Sequence, residues 1–131
     1  MRSCLRVLLT TAAFALAAMS HAEEATPKID QASLLKRIEK KDSSLIILDV
    51  RTPEEFAAGH IPGAVNIPYT HLPARISDLP DVADKDVVVY CAVGVRAEQG
   101  AHRLRENGFT RLWHLDGDMQ AWQEKNRPVV K

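Results

Sequence analysis

Apolar positions in this chain follow two rhythms. Behind Asp30, a side chain suited to a helix N-cap, Ala32, Leu34, Leu35 and Ile38 recur at the spacing of one helix face. An amphipathic helix is therefore predicted over residues 30–40. The second rhythm is a set of short unbroken apolar runs. Leu45-Ile46-Ile47-Leu48 lies between Asp42-Ser43-Ser44 and Asp49, and Val87-Val88-Val89 sits within residues 86–90. Runs of this kind belong to strands covered on both faces, as in parallel sheets. Ile61-Pro62-Gly63-Ala64 is turn chemistry, Val65-Asn66-Ile67 a short strand halted by Pro68, and residues 111–115 a last strand.

Helices fill the intervals. Thr52-Pro53-Glu54-Glu55 combines a Thr cap, Pro at the first helical position and Glu three residues after the cap, which predicts a short helix through Ala58 closed by Gly59. Further helices are expected over residues 72–79, from near Ala97 to Asn107-Gly108, and over residues 118–124 with Trp122 turned inward. Strands alternating with helices define an α/β domain with a mostly parallel sheet and right-handed crossovers. In such sheets ligands bind beyond the carboxyl ends of the strands.

The first residues follow another logic. Arg2 and Arg6 precede an apolar stretch over residues 7–19 that ends in Ser20-His21-Ala22, the pattern of a secretory signal peptide cleaved after Ala22. The stretch is shorter than the roughly 20 residues of a membrane span, and Glu23 and Glu24 follow at once. The expectation is a leader over residues 1–22 and one domain over residues 23–131, exported to a periplasm and not inserted in the membrane after cleavage. An uncleaved anchor is the alternative. The whole chain carries 17 basic and 17 acidic residues, and losing Arg2 and Arg6 leaves 15 against 17, a net charge of −2 with His neutral. That balance weighs against nucleic acid and anionic membrane surfaces as partners. Cys4 would leave with the leader, so the mature domain would hold Cys91 alone, with no internal disulfide available.

Cys91 falls where a predicted strand turns into a helix. The unpaired N–H groups of a helix start, together with its dipole, favour an anion and hence the thiolate. Gly94 lets successive amides of Ala92, Val93, Gly94 and Val95 converge on one point, and Arg96 adds a cation with fork geometry suited to an oxyanion. On local residues alone, a buried structural cysteine and a catalytic one both remain open.

The wider sequence bears on that choice. Residues 48–56 with Gly59-His60-Ile61-Pro62-Gly63-Ala64-Val65-Asn66-Ile67-Pro68, then Val89-Tyr90-Cys91 with its loop to Arg96, then Gly108-Phe109 and Leu115-Asp116-Gly117 with Trp122, resemble the rhodanese-like family in three motifs. The resemblance spans nearly all of residues 23–131. It implies a five-stranded, mostly parallel sheet flanked by helices, with the cysteine at the bottom of a cradle of backbone amides. It also implies a sulfurtransferase that carries sulfur as a Cys91 persulfide, takes it from thiosulfate or a similar small donor, passes it to cyanide or a thiol, and uses no cofactor. Separately, His60, His71, His102 and His114 show no ligand spacing, so no metal site is expected. In this reading Cys91 and Arg96 are catalytic, the amides of Ala92, Val93, Gly94 and Val95 bind substrate, and Asp49 and Arg51 form a supporting ion pair. Nothing in the sequence points to a protein partner.

Two positions depart from the family pattern. Val93 and Ala97 stand where many active relatives carry hydroxyl residues, which keeps open a binding or thiol-sensing module without turnover. Asp118 stands where a second glycine is common after Gly117, a change expected to touch only local backbone geometry. A cysteine phosphatase or arsenate reductase is a further alternative, but those relatives use Cys-x5-Arg, whereas four residues separate Cys91 from Arg96 here. Glu54 and Glu55 are read as helix-start residues, and His60 as a hydrogen-bonding residue of the turn.

Overall fold

A computed structural model of the chain describes residues 24–79, 82 and 84–131; the leader over residues 1–22 lies outside the described residues. Five strands, β1 (Lys28–Ile29), β2 (Leu45–Asp49), β3 (Val65–Asn66), β4 (Asp86–Tyr90) and β5 (Leu112–Leu115), pair in parallel in the order β1-β5-β4-β2-β3. The helices are α1 (Gln31–Glu39), α2 (Pro53–Ala58), α3 (Leu72–Arg75), α4 (Val95–Glu106) and α5 (Asp118–Glu124). The expected α/β sheet flanked by helices is what the chain forms.

Alternation along the strands divides the core into two layers. Ile46, Leu48, Val87, Val89 and Leu112 face Leu72 of α3 and Ala97 and Leu104 of α4. Ile47, Val88, Tyr90 and Leu115 face Leu34 of α1 and Met119 and Trp122 of α5. Each large side chain removed from water contributes about 1.5–3 kcal/mol. Gly100 lets α4 lie close to this layer, because a β-carbon there would meet Leu72 Cδ1 at 3.1 Å and Val50 Cγ1 at 3.3 Å. The central position of β4 places its carboxyl end, and hence Cys91, between β2 and β5.

Caps behave as their residues dictate. Ser33 N–H donates to Asp30 Oδ1 (2.8 Å), and at α2 Thr52 and Glu55 close a reciprocal capping box. Three elements differ from expectation. The two-residue β1 carries too little pattern to be seen in sequence, and it exists because Lys28 and Ile29 pair with His114 and Leu115. The predicted helix over residues 72–79 ends at Arg75 and continues as a tight turn over Ile76–Asp78, after which Leu79 is extended, the conformation favoured before Pro80. The fourth helix starts at Val95, not near Ala97, because Gly94 itself forms the cap with no side-chain acceptor.

Candidate functional site

Cys91 leaves the end of β4 with 1% of its surface exposed, and the N–H of Gly94 donates to its Sγ at 3.0 Å. Gly94 holds φ at +118°, a conformation that L side chains rarely adopt. The turn it makes folds the backbone back onto the sulfur. Glu98 N–H, donating to Gly94 O at 3.1 Å, makes the first backbone bond of α4, so the amides of Val95, Arg96 and Ala97 have no acceptor within the helix. The opposite wall is the start of α5, where Met119 and Gln120 N–H donate to the carbonyls of Cys91 and Ala92 at 3.0 and 3.1 Å. Val93 and Val95, each 67% exposed, form an apolar lip on the loop.

Arg96 lies in the first turn of α4, and its guanidinium grips Glu55 with two bonds, 2.7 Å to Oε1 and 3.0 Å to Oε2. The hydrogen bonds from Arg96 are the main reason the Glu55 carboxyl is held down at about 2. Glu55 therefore has two tasks: it completes the cap of α2 and ties that helix to the cysteine loop. The fork of Arg96 is occupied by this carboxylate and is not held toward the sulfur.

Asp49 and Arg51 do form an ion pair, both buried, with Arg51 Nη2 2.7 Å from Asp49 Oδ2 and its Nε 3.1 Å from each oxygen. Arg51 also donates to Gly59 O at 2.8 Å and lies over the Tyr90 ring at 5.7 Å. Since Asp49 stands opposite Tyr90 in the sheet, the pair braces the strand end just before Cys91. Burial pushes the Tyr90 hydroxyl far up, so it stays protonated, and it accepts the N–H of Ile61 at 3.1 Å. His60 stacks on Phe56 at 3.6 Å, places Nδ1 2.8 Å from Phe56 O, and pairs its backbone with Val130.

Asp118 corrects the sequence reading. It does take a left-handed conformation, φ +53°, but its carboxylate, 3% exposed, lies inside the site. Oδ1 accepts the N–H of Cys91 at 3.0 Å, and both oxygens face His114 Nε2, at 2.9 and 3.0 Å. His114, 5% exposed, points Nδ1 at Glu98 Oε1, 2.9 Å away. Burial on its own would lower the His114 pKa, but the bond and charge of Asp118, then those of Glu98, outweigh it and raise it. In the sequence the only trace of this group is the four-residue interval between His114 and Asp118; Glu98 joins through the packing of α4 on β5.

The arrangement defines a class: an α/β domain with a thiol on the loop after its central strand and the Gly94 N–H donating to that thiol, with no cluster of metal-ligating residues among the described residues. The family model of the rhodanese-like domain matches residues 30–125, and the chain belongs to that family. A protein from Allochromatium vinosum named sulfurtransferase is 38% identical over 103 residues, covering 79% of this chain and 94% of its own length. A tRNA uridine(34) hydroxylase from Cronobacter sakazakii is 31% identical over 90 residues, 66% of this chain and only 26% of that protein. Among solved structures, a rhodanese-related protein from Thermoplasma volcanium superposes with a TM-score of 0.68 at 32% identity, over 79% of this chain and 97% of that one. At family level these relatives support an enzyme of the sulfurtransferase type acting on small molecules.

Proposed function

We propose that this chain moves sulfane sulfur from thiosulfate, or a donor of the same chemistry, to a thiophilic acceptor through a persulfide on Cys91. The observation that carries the reading is the Gly94 N–H donating to Cys91 Sγ at 3.0 Å beside the unpaired first-turn amides of α4. In the first step the Cys91 thiolate attacks the outer sulfur of thiosulfate. A new S–S bond forms on Cys91, the S–S bond of the donor breaks, and sulfite leaves with its electron pair. The terminal sulfur then carries negative charge, stabilised in this reading by the backbone amides of the loop from Ala92 to Arg96. In the second step cyanide or a thiolate attacks that sulfur and returns the Cys91 thiolate, which makes the kinetics ping-pong. No metal or cofactor enters either step. Arg96, tied to Glu55, holds the loop in place and adds positive potential at its rim.

The test is intact mass before and after thiosulfate, with sulfite followed in parallel and Cys91→Ser beside the native chain. The expected result is one added sulfur atom on the native protein only, removed by cyanide. A folded, reduced protein that gains no sulfur and releases no sulfite overturns the thiosulfate reading. One observation favours a second reading: with Arg96 engaged by Glu55 and no hydroxyl at Val93 or Ala97, the loop also suits a thiol-sensing module. Capture of a mixed disulfide at Cys91 without sulfite release would select it. We also propose export to a periplasm after cleavage at Ala22; fractionation of the native host followed by N-terminal sequencing tests this, and an unprocessed cytosolic chain would contradict it.

A further inference from the structure

The group formed by Glu98, His114 and Asp118 is more elaborate than a loop anchor needs to be. A backbone N–H can be held by any buried acceptor, yet here it is held by a carboxylate that is itself held by an imidazole, which is held by a second carboxylate. The group is also in contact with the turn over the sulfur. A β-carbon on Gly94 would lie 3.1 Å from Asp118 Oδ2 and 3.3 Å from His114 Cε1. Asp118 occupies a left-handed position, φ +53°, which aspartate tolerates better than most side chains.

Counting donors gives the group its meaning. An imidazolium has two N–H donors and a neutral imidazole one. Both ring nitrogens of His114 face carboxylates, so the chain from Glu98 to Asp118 is fully bonded only while the ring is protonated. Loss of that proton sets a nitrogen lone pair against one of the carboxylates, and the chain opens at one end. We propose that Glu98, His114 and Asp118 form a positioning unit that seats the Cys91–Gly94 turn, and that the proton on His114 keeps the unit closed. Sulfur transfer then declines as pH rises through the titration of His114. This rests on the sulfurtransferase reading for its functional consequence, but not for its structural one.

The charged neighbours are few. Asp118 of α5 and Glu98 of α4 contact the ring, and Cys91 lies at the end of β4. Lys28 stands opposite His114 in β1, but its Nζ reaches outward to Asp116 at 3.8 Å. Arg105 reaches the pair indirectly, donating to Thr26 Oγ1, which in turn donates to Glu98 Oε2. The sign follows from the raised pKa. Because the bonds and charges of Asp118 and Glu98 raise the His114 pKa, the unit is closed below the titration of the ring and opens as pH rises through it.

Two measurements separate this inference from the reaction it serves. The first is NMR on Cys91→Ser, which removes the thiol's own titration: the backbone amides of positions 91 and 94 are expected to shift with the same midpoint as the His114 ring. The second is the pH profile of sulfite release in the native chain, expected to show an alkaline limb at that midpoint. Glu98→Gln takes one carboxylate from the ring without touching the loop, and should move both midpoints together to lower pH. Asp118→Asn, which tolerates the left-handed backbone and keeps an oxygen for the Cys91 N–H, should retain more activity than Asp118→Gly, expected to lose about tenfold or more in kcat. Amides at positions 91 and 94 that ignore the His114 titration overturn the inference, as does an alkaline limb that stays fixed in Glu98→Gln while the ring midpoint moves. Coupled NMR midpoints with no sulfite from any variant would leave the positioning unit standing and sink the sulfurtransferase reading instead.

Discussion

The two ends of the sheet solve the same problem in opposite ways. At the amino ends, Asp86 accepts from Arg111 (3.0 Å), Arg37 (3.1 Å) and the Trp113 indole (3.1 Å), and Arg37 also binds Asp42 at 2.8 Å. Opposite charges meet partly exposed to water, and each group gains a partner at little cost. At the carboxyl ends, Gly94, Gly117 and Asp118 all hold positive φ, a carboxylate and an imidazole are buried, and a thiol faces backbone amides. One end ties strands together with partly exposed ion pairs, whereas the other keeps tight positive-φ turns and buried polar groups around one sulfur atom. Buried polar groups of this sort persist only where surrounding contacts satisfy them. Here those contacts come from β5, α4 and α5 together.

Substitutions at the two ends should therefore behave differently. Cys91→Ser should abolish sulfur transfer and leave the fold intact, as checked by sulfite release and circular dichroism. Gly94→Ala comes next, since it places a β-carbon at φ +118° and 3.1 Å from Asp118 Oδ2; a loss of about 1–3 kcal/mol in urea unfolding is expected, with transfer falling at least tenfold. Glu55→Gln should cost about 1 kcal/mol or less, because the pair with Arg96 is partly open to solvent. The sign of its pH dependence is set by the depressed carboxyl. The pair's contribution is present above the ordinary glutamate value near 4.3 and disappears as pH falls toward about 2, so the gap between native and variant in acid unfolding should close over that window. Smallest of all, Arg111→Ala at the amino end should cost about 0.5 kcal/mol and leave sulfur transfer unchanged; a loss of transfer there would break the contrast between the ends.

The same contrast explains what was legible in the sequence. Elements stabilised by their own residues could be read directly. Asp30 caps α1, Thr52 and Glu55 box α2, and the apolar runs of β2 and β4 sit where expected. Features that depend on distant partners could not. Lys28 and Ile29 become a strand only beside β5, and α4 begins two residues early because Gly94 caps it through backbone geometry alone. Cys91 and the Asp49–Arg51 pair were visible as chemistry. The grip of Arg96 on Glu55 and the burial of Asp118 under the loop were not, since each joins segments far apart in the chain. A departure from a glycine pattern said that position 118 was unusual, but not that its side chain reaches the Cys91 amide.

The bond from Cys91 N–H to Asp118 also sets an order of events during synthesis. The two residues are 27 apart in sequence, and β1 must wait for β5, from Lys28 to His114. At about 5–20 residues per second, the ribosome delivers Asp118 a second or more after the thiol. The nascent chain thus carries its sulfur before the residue that holds the Cys91 N–H has been made.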